Sequence, residues 1–360
     1  MNGSIRHWVQ SLFVSMIAIG CISSSLAADR AAVGSGPSAL VGKSSMKAAL
    51  QTLPEVEIAL NWKPEPQFGG FYSAQLKGID KQNGLSFKIT PGGAGTPVVQ
   101  MVASGKHDFG ISSADEVIMT QSRGSDVVAL FAVFQTNPQG IMTHAERRFS
   151  SLEDVFRSEG TVAMQKGLPY AAYLLQKYKS VMKATIVPYV GGISNFLTEK
   201  KHSQQCFITS EPVLAEKESM KAKTFLVADS GFNPYTTVLI TRRQILLQKP
   251  DLARKVVKAV QQGWVVYLES PDDTNRHMTT LNSTLDLEAM RVSANRQKKL
   301  IMSRSDDREK LDMKLLGRMD KERWAELVDQ MKSLKLIRKS VDPGQLFVQF
   351  DEKLEEKVAQ

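Results

Sequence analysis

The chain has 360 residues, 42% of them hydrophobic and 23% charged, and its 46 Lys and Arg exceed its 37 Asp and Glu, for a formal charge of +9. That composition belongs to an ordinary globular chain long enough for two domains. The basic residues are scattered, and their mild concentration between Arg296 and Lys339 is mixed with acids, so a solvated surface is expected and not a nucleic-acid or lipid patch.

Arg6 and His7, an apolar run from Val9 to Ile22 and the tripeptide Ser25-Leu26-Ala27 read as a secretory signal over residues 1–27. The mature protein is expected to be periplasmic or otherwise exported, with a formal charge of +8 once Arg6 is removed. Ala18-Ile19-Gly20-Cys21 also resembles a lipoprotein box, in which Cys21 would carry a lipid, and the soluble and anchored forms both stay open. Cys21 is thus cleaved away or lipidated, which leaves Cys206 alone and rules out an intramolecular disulfide. Residues 28–53, rich in Ala, Ser and Gly, read as a tether, and no later stretch approaches the roughly 18 to 20 apolar residues of a spanning helix.

The folded body begins near Pro54. Alternating polar and apolar residues predict strands at 55–60 and 85–89, with a helix at 70–78 between them. A glycine-rich turn at 92–96 then leads to a helix at 97–104, followed by strands at 108–112 and 127–134. The grammar repeats at 161–164 (strand), 170–179 (helix), 184–187 (strand), a helix opened by Gly191-Gly192-Ile193-Ser194-Asn195, and 205–209 (strand). Strands alternating with helices predict parallel pairing in α/β sheets. Crossing segments are expected at 135–140 and 231–235, before a strand at 236–240. Leu252, Val256, Val260 and Trp264 give 251–269 a helical stripe, and the tail reads as all-helical, with Trp324, Leu327 and Met331 inward. The expected division is lobe 1 from 54–136 and 237–360, and lobe 2 from 137–236.

In open α/β sheets ligands sit beyond the carboxyl ends of strands, where helix N-termini offer free N–H groups. Gly93 to Thr96 and Gly191 to Ser194 would supply one such terminus per lobe. The following strand ends, Ser112 to Glu116 and Thr209 to Pro212, carry hydroxyls and acids toward the same cleft. The plainer reading is that such glycines serve tight strand-to-helix turns and that Ser113 and Ser210 cap helices.

Leu60-Asn61-Trp62-Lys63-Pro64, Gln67-Phe68-Gly69-Gly70-Phe71-Tyr72, residues 92–116, Val128 to Gly140, Gln204 to Pro212 and Gly263-Trp264 together resemble the ABC-transporter substrate-binding proteins related to the thiamine-pyrimidine-precursor binding and synthase group. The resemblance covers about residues 55–350. It implies a periplasmic-binding-protein fold of type II, two α/β lobes joined by two crossovers, that traps ligand by closure and docks on an ABC permease driven by a separate ATPase. It also implies ligand-facing residues: Asn61, Trp62, Phe68, Tyr72, Gly95, Thr96, Asp115 and Glu211, with Gly192 and Ser194 from the second turn and Tyr170, Tyr189 and Tyr235 as further aromatic contacts. Aromatic faces with acids suit an amine-bearing ring such as a thiamine pyrimidine precursor. The motifs lack the arginine fork that favours sulfonates or carboxylates, although the two helix N-termini would serve an anion without one.

No catalytic residue, metal or cofactor is expected, and the protein is expected to act as a monomer. There is no P-loop and no GxSxG, and the histidines, lacking metal spacing, are expected to be lone surface residues. The related synthases use a cysteine-rich loop with iron, which a single mature cysteine cannot form. A sulfonate or other small metabolite as ligand, or a role as a sensing subunit, stays open.

Overall fold

The computed structural model describes residues 53–302 and 315–350. The expected signal, its Cys21 and nearly all of the tether lie outside the described residues. β1 (Glu55–Ala59) pairs in parallel with β2 (Ser86–Thr90) and β3 (Phe109–Ser112), while β10 (Thr236–Arg242) runs antiparallel between β3 and β4 (Val127–Phe134). The order is therefore β2-β1-β3-β10-β4. β4 is buried at every position, as expected of a strand covered on both faces.

The second sheet repeats this plan. β6 (Thr161–Met164) pairs in parallel with β7 (Thr185–Pro188) and β8 (His202–Phe207), and β5 (Gln139–His144) runs antiparallel between β8 and β9 (Ala222–Leu226). The order β7-β6-β8-β5-β9 matches the first sheet strand for strand. Each lobe thus holds one antiparallel strand donated after a crossover, the arrangement of a type II periplasmic binding protein.

Two segments, 135–138 and 227–235, join the lobes, and they are tied to each other. The Asn137 backbone N–H donates to Asn233 Oδ1 at 2.9 Å, Asn137 Nδ2 donates to the Pro234 carbonyl at 3.1 Å, and Asn137 Oδ1 accepts the Gln139 N–H at 2.9 Å. Just beyond, Thr237 sits at φ 51°, a left-handed conformation that a β-branched residue adopts only under constraint.

The first lobe is covered by α1 (Gly69–Leu76), α2 (Ile79–Gln82), α3 (Val98–Ala103) and α4 (Ala114–Gln121); the second by α5 (Leu152–Arg157), α6 (Pro169–Lys177), α7 (Ser194–Thr198) and α8 (Glu211–Lys217). After β10 come α9 (Arg243–Gln248), α10 (Pro250–Glu269), α11 (Asp272–Leu281), α12 (Leu287–Ile301) and α13 (Lys321–Ser333). Among the described residues no helix is long and apolar enough to cross a membrane.

Glycines let α1 and α10 touch. A Cβ on Gly70 would lie 2.2 Å from the Trp264 ring, and one on Gly263 would lie 2.3 Å from the Gly70 carbonyl. The Gly69-Gly70 and Gly263-Trp264 motifs therefore record a close helix crossing in the core.

Three expectations are corrected. β8 begins at His202, not Gln205, because its Ser and Gln side chains hide a strand that buries them in hydrogen bonds, as between Ser203 Oγ and Thr143 Oγ1 at 3.1 Å. The tail is not all-helical: Leu346 to Val348 lies along β4, with the Ala129 N–H donating to the Leu346 carbonyl at 2.9 Å and the Val348 N–H to the Ala129 carbonyl at 2.9 Å. Nor are His107, His144 and His202 surface residues. All three are buried: His107 Nδ1 meets Glu57 Oε2 at 3.0 Å, His144 stacks on Phe196 at 4.1 Å, and His202 Nδ1 bonds Thr161 Oγ1 at 2.8 Å.

Candidate functional site

The carboxyl end of β1 leads directly to Asn61 and Trp62, both half-buried. The glycine-rich turn folds over that end. The Gly92 N–H donates to the Trp62 carbonyl at 3.0 Å, and a Cβ there would lie 2.1 Å from the Leu60 carbonyl oxygen, so only glycine permits the approach. Within the turn the Gly93 N–H donates to Thr96 Oγ1 at 2.9 Å and the Thr96 N–H to the Gly93 carbonyl at 3.1 Å, with Gly95 at φ 79°. These N–H groups are spent inside the chain, and α3 beyond them is only six residues long.

The second turn is held through a carbonyl. The Gly192 carbonyl accepts from Gln204 Nε2 at 2.9 Å and from the Tyr189 hydroxyl at 3.3 Å, and Ser194 opens a helix of five residues. A helix this short has little macrodipole to offer an anion. The first turn is a latch over β1, and the second is an exposed loop held to β8 through the Gly192 carbonyl.

What the lobes do bring together is a set of acids and aromatics. Trp62 Nε1 donates to Glu65 Oε1 at 3.2 Å, and Glu65 itself is buried. From the other lobe come Ser210 and Glu211, which act on the Glu65 carboxyl from across the cleft. Burial, then the neighbouring Glu211 charge, pushes the Glu65 carboxyl up to about 7, against hydrogen bonds from Trp62 and Ser210 and the charge of Lys63. Glu211, at the start of α8, accepts the Tyr189 hydroxyl on Oε1 at 3.0 Å and the Phe207 N–H on Oε2 at 2.8 Å. Burial raises its carboxyl, while those hydrogen bonds oppose the shift. Tyr170 lines the same floor: its buried hydroxyl bonds Gln205 Oε1, which also accepts the Gln165 N–H at 2.7 Å, and the charge of Glu211 adds to the burial that raises its phenol.

Asp115 lies in the first turn of α4, and its buried Oδ1 has no hydrogen-bond partner among the described residues. Burial and then the adjacent Glu116 push its carboxyl up to about 6. Ser113 caps this helix as the plainer reading held, with its N–H and hydroxyl both 3.2 Å from Glu116 Oε2. Ser210 makes no such cap and turns toward Glu65 instead.

The remaining candidates lie elsewhere. Phe68, in the 3-10 turn before α1, and Tyr72 on α1 are fully buried in the first lobe's core, Tyr72 against His277 at 5.8 Å. Tyr235 is part of the hinge: the Arg323 guanidinium covers its ring at 3.8 Å, and its hydroxyl accepts the Asp320 N–H at 3.0 Å. Glu65 was missed in the sequence, where Lys63-Pro64-Glu65-Pro66 reads only as a strand break; the two prolines that break the strand also carry Glu65 inward. No group of His, Cys, Asp and Glu among the described residues could hold a metal ion.

A model of the family described as NMT1/THI5 like matches residues 65–274, more than half of the chain. The chain belongs to the NMT1/THI5-like family. The chain is similar to the riboflavin-binding protein RibY of Chloroflexus aurantiacus, 22% identical over 232 residues, a match that spans 62% of this chain and 66% of RibY. The 4-amino-5-hydroxymethyl-2-methylpyrimidine phosphate synthase THI12 of Saccharomyces cerevisiae is 26% identical over 88 residues, which is 24% of this chain and 26% of the yeast enzyme. The periplasmic aliphatic sulphonate binding protein SsuA of Escherichia coli superposes with a TM-score of 0.61 at 12% identity, over 83% of this chain and 94% of SsuA. This NMT1/THI5-like chain therefore has the periplasmic-binding-protein fold.

Proposed function

We propose that this protein is the exported solute-binding component of an ABC importer and that it captures a small nitrogen heterocycle by closing its lobes. The observation that carries the reading is an acid bonded to an aromatic in each lobe, Glu65 to Trp62 and Glu211 to Tyr189, with the Glu211 charge acting on Glu65. Two acids accept hydrogen bonds from ring amines, and the indole and phenol offer flat faces for stacking. A sulfonate entering there would meet like charge, and the Gly92, Gly93 and Thr96 N–H groups of the first turn are spent on internal bonds.

RibY is named for binding a flavin and the yeast enzymes for making an aminopyrimidine phosphate, so both names carry a flat nitrogen ring, which supports the same class here. Delivery to a permease with its ATPase follows from the reading as a binding component, and an aminopyrimidine of the thiamine-precursor type is the ligand we favour. Isothermal titration of the folded protein with 4-amino-5-hydroxymethyl-2-methylpyrimidine, riboflavin and taurine tests it. Binding of a nitrogen ring with no heat from taurine is expected; binding of taurine alone overturns the ligand class.

A further inference from the structure

The wall of the cavity of about 230 Å³ at the hinge comes from both crossovers and from α13. Gln135 belongs to the first crossover, Gly231 and Asn233 to the second, and Arg323 and Gln330 to α13; Trp62, Glu65, Tyr189 and Glu211 do not border it. Gln135 is 4% exposed. Its Nε2 donates to the Arg318 carbonyl at 3.0 Å, but its Oε1 has no hydrogen-bond partner among the described residues. A buried carbonyl oxygen without a donor is rare, because it has given up water and gained nothing in return. One water would satisfy it, yet a water takes about 30 Å³ and this space is several times larger.

The donors in the wall are engaged with its own oxygens. The Arg323 guanidinium donates to the Gln135 and Asn233 carbonyls, and Gln330 Nε2 to the Gly231 carbonyl at 2.8 Å and to Glu326 Oε1 at 3.3 Å. What the wall still offers is acceptors: Gln135 Oε1, and the remaining lone pairs of the exposed Glu326 carboxylate. The formal charges of Arg323 and Glu326 cancel, so the wall favours neither an anion nor a cation. A cavity of about 150 Å³ admits benzene, so this one has room for about nine non-hydrogen atoms. We propose that it is a second ligand site, separate from the cleft, that takes a small neutral molecule rich in O–H or N–H donors, such as a short polyol, and that the bound molecule braces the hinge.

The brace follows from where the wall residues lie. Both crossovers and α13 touch the same space, and the crossovers are already tied by the Asn137 N–H to Asn233 Oδ1 bond at 2.9 Å. A molecule that fills the space and donates to Gln135 Oε1 holds these three walls at the spacing seen here. It therefore stabilises this arrangement of the hinge over any that parts the walls, and by linkage a solute in the cleft that needs the same arrangement binds more tightly in its presence. The site itself does not depend on which solute the cleft takes.

The test follows the side-chain amide signals of Gln135, Asn233 and Gln330 by proton–nitrogen NMR of the folded protein while erythritol is added, with methylammonium chloride and sodium acetate in separate titrations. Erythritol should give shifts that saturate at these residues and leave the Trp62 indole signal unmoved. Gln330→Phe, which puts a ring into the cavity from a half-buried position of α13, should abolish the shifts while keeping the circular dichroism of the wild type. Gln135→Met, which removes the unpartnered oxygen, should weaken binding at least tenfold. Bound erythritol should also slow amide exchange at Asn137 and Gln139, whose N–H groups hold the crossovers, by severalfold. Shifts that never saturate, that persist in Gln330→Phe or that move Trp62 as well overturn the site and leave the cavity to water. Equal saturation by methylammonium or acetate overturns the neutral class, and unchanged exchange at Asn137 and Gln139 overturns the brace.

Discussion

Lys217 and Asp286 face each other at 2.6 Å, one on α8 of the second lobe and the other at the N-cap of α12, which packs on the first. Beside them Arg296 of α12 meets Glu216 of α8 at 2.5 Å. The two pairs run in opposite sense, so sliding one helix along the other brings like charges together.

All four side chains are partly exposed, so each pair contributes at most about 1 kcal/mol. Both span the lobes, so lobes that move apart are expected to break them. Lys217→Glu is expected to weaken ligand affinity two- to fivefold, through faster dissociation, and Asp286→Lys in the same chain to restore it. Stopped-flow dissociation at 20 and 500 mM salt checks this, because the wild-type advantage should shrink at high salt.

Arg323 sits astride the hinge. Its Nη1 donates to the Gln135 carbonyl at 2.7 Å and its Nε and Nη2 to the Asn233 carbonyl at 3.0 and 2.8 Å, while its plane covers Tyr235. Lysine has neither the fork nor the plane. Arg323→Lys is expected to lose roughly 1.5 to 3 kcal/mol of stability by chemical denaturation, and more of it than the surface variant Lys200→Ala, which should be neutral. A cavity of about 230 Å³ lies against this brace, lined by Gln135, Gly231, Glu326 and Gln330 among others, away from the acidic pair.

Thr237 holds a left-handed φ at the exit of the second crossover. Relief of that strain by Thr237→Gly should raise stability by about 1 kcal/mol, less the entropy glycine adds to the unfolded chain. A fall of more than 1 kcal/mol would mean that the buried threonine side chain contributes more than the backbone strain removes.

The strands, the crossovers and the doubled α/β plan were legible because burial imposes a period on apolar residues, as in Val127 to Phe134. Trp62, Tyr189 and Glu211 were candidates through the family resemblance, and Glu211 also through the strand end Thr209 to Pro212, whose hydroxyls and acids suit a cleft. Glu65 was not, since nothing in Lys63-Pro64-Glu65-Pro66 says that a turn will carry a carboxylate into another lobe's acid. Phe68, Tyr72 and Tyr235 were ligand contacts only by resemblance, and an aromatic reads alike in sequence whether it faces a cleft, a core or a hinge. The glycine turn at 92–96 reads as an anion site in sequence, which does not show that its Gly92, Gly93 and Thr96 N–H groups find acceptors inside the chain.

The pH dependence of stability follows from the raised acids. Glu65, up at about 7, and Asp115, up at about 6, hold protons in the folded chain that the unfolded chain releases near the ordinary values of 4.5 and 3.8. The native state therefore binds more protons in that window, and their contribution to stability falls as pH rises from about 4 to about 7. Urea midpoints should be higher at pH 5.5 than at pH 8, and Glu65→Gln should flatten the difference. A midpoint that rises over that range would assign the dominant titration to other groups.

The central claim is that Trp62, Glu65 and Glu211 form a cleft for a nitrogen ring. Its most direct test is a calorimetric titration of the wild type, Trp62→Ala and Glu211→Gln with 4-amino-5-hydroxymethyl-2-methylpyrimidine, with taurine as the opposing probe. The account predicts binding of the pyrimidine, a loss of roughly 1 to 3 kcal/mol in Trp62→Ala as for a buried aromatic anchor, and a loss in Glu211→Gln. Equal affinity in all three proteins, or heat from taurine alone, would contradict it.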